Sequence, residues 1–83
     1  MKLPVIKHLQ RSATADQLEA TLEVLEAVSD HRSTTDSDLD TYGELITNIC
    51  GALEMHALIE AGNTPTEAAN TFAKKVMGSI DRS

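Results

Sequence analysis

Cys50 and His56 are the side chains in this sequence best suited to nucleophilic or acid–base chemistry, and they stand six residues apart. A thiol attacks when a neighbouring base takes its proton, so a Cys–His pair has to lie within hydrogen-bond reach. Six residues along a helix point the two side chains to different faces. A reactive thiolate also needs a helix N-terminus or a cation nearby. One turn from Cys50 the chain offers Ile46, Thr47, Leu53 and Glu54 instead, which predicts a buried, inert thiol. His56 has Glu60 four positions on, the spacing of an ion pair on a helix, and is expected at a surface or an interface. His8 and His31 have no Cys or His at zinc-ligand spacing.

Asp36, Asp38 and Asp40 alternate as the first ligands of a calcium loop would. Such a loop needs glycine at its sixth position and glutamate at its twelfth. Thr41 and Thr47 stand there, so the acids are read as the first turns of a helix, where they complement the dipole. No catalytic, metal-binding or cofactor-binding residue is assigned, and no cofactor is expected. The rival reading is a thiol-dependent redox accessory using Cys50, with His56 handling the proton.

The element that carries these residues is a long helix, expected over 36–61. Leu39, Tyr42, Ile46, Ile49 and Leu53 recur at spacings of three and four, and Leu45, Cys50, Ala52, Ala57, Leu58 and Ile59 widen the stripe. Thr35 or Asp36 caps its start, and Gly62, Asn63 and Pro65 end it. At 1.5 Å per residue the rod measures about 37 Å. A globule of this size has a radius of gyration of about 12 Å, hence a diameter of roughly 30 Å. Such a rod either bends or is covered by another chain. Gly43, Thr47 and Gly51 lie four apart and offer a ridge of small residues for close helix packing. The expected dimer interface is therefore Leu39, Tyr42, Gly43, Ile46, Thr47, Ile49, Gly51 and Leu53.

A second helix is expected over 14–30. Thr14 and Gln17 form a capping box, and Leu18, Leu22, Leu25 and Val28, with Val24 beside them, form its buried stripe. A third is expected over 65–80, opened by Thr64-Pro65-Thr66-Glu67 and lined by Ala69, Phe72, Ala73, Val76 and Ile80. Residues 1–13 fit a short helix with Val5, Ile6 and Leu9 on one face, or an extended arm laid across a partner. The fold class is all-α: three main helices plus a short N-terminal segment, one domain over 1–83, in an intertwined homodimer.

Composition narrows the function. A net charge of −6 and pI near 4.8 disfavour nucleic acid and anionic membranes. One cysteine allows no disulfide within the chain and suits a reducing compartment. No apolar run approaches the roughly 20 residues of a membrane span, so a cytoplasmic protein is expected. The expected role is a non-enzymatic homodimeric interaction or regulatory module with an unidentified protein partner.

Val24-Leu25-Glu26, Thr35-Asp36 with Leu39 and Gly43, Thr47-Asn48, Asn70-Thr71-Phe72-Ala73 and Ser79-Ile80 together resemble the YejL-like family of small bacterial helical proteins. The likeness runs over about residues 14 to 80. It implies an all-helical subunit in an intertwined homodimer with no assigned activity. The opening MKLPVIKHL departs from that family's pattern, and the central helix runs several residues longer. A second stretch, His56-Ala57-Leu58-Ile59-Glu60-Ala61-Gly62, resembles a segment of the AhpD-like alkylhydroperoxidase proteins. Those carry a Cys-x-x-Cys pair before the histidine, and Cys50 has no second cysteine.

Overall fold

A computed structural model of the chain describes residues 2–81, with side chains through Val76. It consists of four helices: α1 (Leu3–Ser12), α2 (Ala15–Ser29), α3 (Asp36–Glu60) and α4 (Pro65–Asp81). The side chain of Ile80, expected on the α4 face, lies outside the described residues.

Each start signal is realised as hydrogen bonds. The Gln17 N–H donates to Thr14 Oγ1 at 3.2 Å, and the Thr14 N–H to Gln17 Oε1 at 2.9 Å. Thr35 with Asp38 and Thr64 with Glu67 repeat the exchange. Each pair satisfies two amide groups that a helix leaves without partners at its start. The end of α3 is a Schellman turn. Gly62 adopts φ 109°, the Asn63 N–H reaches the Leu58 carbonyl at 3.2 Å, and the Gly62 N–H reaches Ile59 at 3.0 Å.

The N-terminal segment is a helix and not an extended arm. Pro4 sits in its first turn, where a missing N–H costs nothing, and Ile6 is fully buried. Its inner face is Leu3, Ile6 and Leu9, while Val5, expected with them, is exposed.

The helices α1, α2 and α4 all pack on α3, and α3 runs unbroken through the molecule. The core is small and local: Ile6, Leu18, Ile49, Ala52, Met55, Ala68, Ala69 and Phe72. All of its α3 members come from the second half of that helix. The conflict between rod and globule is settled by shape. The radius of gyration is 13.8 Å and the extents are 42 × 32 × 17 Å, so the subunit is a slab as long as its central helix. Bending is unnecessary, but a slab this thin leaves faces of α2 and α3 open.

Gly51 shows how tightly the covered half is built. A Cβ there would lie 2.8 Å from Ile6 Cδ1 and 3.0 Å from Phe72 Cζ, so a methyl group would have to push the side chains of α1 and α4 aside. The close approach expected of Gly51 is thus made within one chain.

Candidate functional site

Cys50 is exposed, contrary to the buried thiol expected from its neighbours in sequence. Asn48, Ile49, Gly51, Ala52 and Met55 are the buried residues of α3. At 100° per residue, Cys50 points away from the middle of that set. Ile46 and Leu53, one turn away on either side, are only half-buried, and Leu53 packs against the core.

His56 is half-buried, and its Nε2–H donates to the Ala13 carbonyl at 2.8 Å. Ala13 closes α1 just before α2 begins, so the imidazole pins that turn to α3. At the other end of α1 the Lys2 N–H donates to Asn48 Oδ1 at 2.8 Å. Asn48 is only 4% exposed, and its oxygen supplies a partner to the first turn of α1, which has no side-chain cap. Neither tie was legible beforehand. The one signal was an asparagine on the face where Ala52 and Met55 recur at helical spacing.

Asp38 is the reciprocal capping partner of Thr35. The Nδ1 of His31 accepts from the Ser33 N–H at 3.1 Å, closing the α2–α3 link. Glu54 pairs with Lys75 across α3 and α4. Among the described residues no group of His, Cys, Asp or Glu is arranged to hold a metal ion, and no helix is long and apolar enough to cross a membrane.

What stands open is apolar. Val24 is 63% exposed, Leu45 45%, Leu39 41% and Val28 40%. Val28 and Val24 were expected inside the α2 stripe; only Leu18 of that stripe is buried, with Leu22 and Leu25 half-buried against the core. Val24, Ala27, Val28 and Tyr42 line an open groove between the end of α2 and the start of α3. Of the residues expected at the dimer interface, Leu39 and Thr47 are exposed, and Tyr42, Gly43, Ile46 and Leu53 are half-buried. Ile49 and Gly51 are buried within the subunit. A Cβ on Gly43 would meet nothing within 4 Å.

A family model described as a family of unknown function (DUF6952) matches residues 1–81. No curated protein and no solved structure matches the chain. The family match does not connect it with the YejL-like proteins it resembles.

Proposed function

We propose that this chain, which belongs to the DUF6952 family of unknown function, is a non-enzymatic interaction module that works as a homodimer. The observation that carries the reading is the joint exposure of Val24, Val28 and Leu39 on adjoining helices beside half-buried Tyr42. Single exposed aliphatics need no explanation, but a contiguous apolar surface rimmed by polar groups marks an interaction site. The chemistry-bearing side chains support the same reading, since His56, Asp38 and Glu54 are each engaged in holding the subunit together.

Light scattering at high micromolar concentration tests it. The wild-type chain should have twice the monomer mass, and Leu39→Glu should have the monomer mass with unchanged helical circular dichroism. A wild-type monomer across that range would end the reading.

One observation favours a second reading, a thiol-dependent role for Cys50: the side chain is open to solvent. Labelling by iodoacetamide at neutral pH much faster than that of free cysteine would support it. Labelling at the ordinary rate, with Cys50→Ser indistinguishable in the cell, would dismiss it.

A further inference from the structure

The uncovered side of α3 carries a stripe with an internal symmetry. Leu39, Gly43, Ile46, Cys50, Leu53 and Ala57 follow one another at spacings of four, three, four, three and four. That is the period of a helix–helix seam, and it holds for five turns. None of the six is buried and none is charged, and of them Leu53 also packs against the subunit's own core. The spacing reads the same in both directions, and sizes are reversed about the centre: large, small, large, then small, large, small.

We infer that a second copy of this chain lays its α3 antiparallel on this stripe, with the two-fold axis at the level of residue 48. The inference rests on the self-association proposed above and specifies its geometry. In a two-fold contact, residue i meets residue j and j meets i. With the axis at that level, Leu39 faces Ala57 of the second copy, Leu53 faces Gly43, and Ile46 faces Cys50. Every large side chain then meets a small one, the condition for two helices to approach closely without voids or overlap. A parallel pair in register would set Leu39 against Leu39 and Gly43 against Gly43, crowding one level and hollowing the next.

Charge favours the same direction. A parallel pair would bring Asp36 and Asp40 of both chains to one level. The antiparallel pair sets Asp40 level with His56 of the second copy and Asp36 level with Glu60, and its electrostatic gain is that it opposes the two helix dipoles. The arrangement also gives Gly43 a purpose: its open space is where the Leu53 side chain of the other copy sits.

Disulfide trapping in a Cys50→Ser background tests the register. Positions 39 and 57 lie about 27 Å apart on one helix, so they cannot join within a chain. Leu39→Cys with Ala57→Cys should give a covalent dimer under mild oxidation, and neither single variant should. Cross-linking of Leu39→Cys alone would mean a parallel pair and overturn the inference. A dimer by light scattering with no 39–57 cross-link would overturn it too, while leaving the proposed self-association standing. A monomer would sink both.

A size exchange provides a second measurement at these two exposed positions. Ala57→Leu should weaken dimerisation at least about tenfold by overpacking against Leu39 of the second copy. Adding Leu39→Ala should recover most of that loss. Failure of the double variant to recover would count against the pairing.

Discussion

The two halves of α3 are built from similar residues and have opposite fates. Past Asn48 the inner face of the helix is buried, with Ala52 fully so and Met55 nearly so, while Cys50 and Ala57 on its outer side stay exposed. Before Asn48 no residue of the helix is buried, and Leu39 and Leu45 stand exposed. Two glycines mark the contrast. At Gly51 a methyl group would crowd Ile6 and Phe72, whereas Gly43 faces open space. In one half, apolar residues are spent on the subunit's own core. In the other they are held out for something else.

The largest expected effect breaks the covered half. Ile6→Ala removes a fully buried side chain where α1 meets α3 and should cost about 2–5 kcal/mol. At about 4–8 °C per kcal/mol in a domain of this size, the thermal midpoint should collapse. Leu39→Ala is the counterpart in the open half, and it should reduce self-association without loss of helical structure. If both variants behave alike in melting and in light scattering, the two halves do not differ in kind.

The glycines should separate next. Gly51→Ala forces Ile6 or Phe72 aside and should cost about 1–3 kcal/mol. Gly43→Ala should gain up to about 1 kcal/mol of helix propensity in the isolated subunit. Urea denaturation at low protein concentration checks both, and equal signs would refute the contrast.

His56→Ala, which unpins the α1–α2 turn, should cost about 1 kcal/mol. Its signature is faster amide exchange along α1, with the start of α3 unaffected. Uniform acceleration along the chain would mean that the imidazole serves global packing instead.

The smallest effect lies at α4, away from both halves of α3. The Thr64 N–H, and then its hydroxyl, hold the Glu67 carboxyl below the usual glutamate range. The folded pKa lies below the unfolded one, so this stabilisation is present above the ordinary glutamate pKa of about 4.3 and is lost as pH falls through the lowered value. Glu67→Gln keeps an acceptor but no charge, so its stability should fall less steeply on acidification. Parallel acid titrations of the two proteins would show the cap to be silent.

The caps and helix limits were legible because they are local. Thr14 with Gln17, Thr64 with Glu67 and the Gly62 turn each depend on residues within a few positions of one another. The allocation of α3's faces was not legible, because both sides of that helix are apolar. Ile46, Ile49, Cys50 and Leu53 are neighbours in sequence, yet only Ile49 is buried in the core, Leu53 packs against it, and Cys50 is exposed. Which side a chain covers depends on where α1 and α4 land, and those contacts span most of its length. The helical state of residues 3–12 was open for the same reason: its inner face matches a groove whose walls are written more than forty positions later.

That distance sets an order of events during synthesis. The segment that becomes α1 leaves the ribosome ahead of both of its anchors, the Asn48 amide and the His56 imidazole, which arrive more than forty residues afterwards. At 5–20 residues per second it waits roughly 2–10 s with Ile6 bare. The nascent chain therefore has an interval in which the apolar face of α1 is open to chaperones, and docking of α1 is the step that ends it.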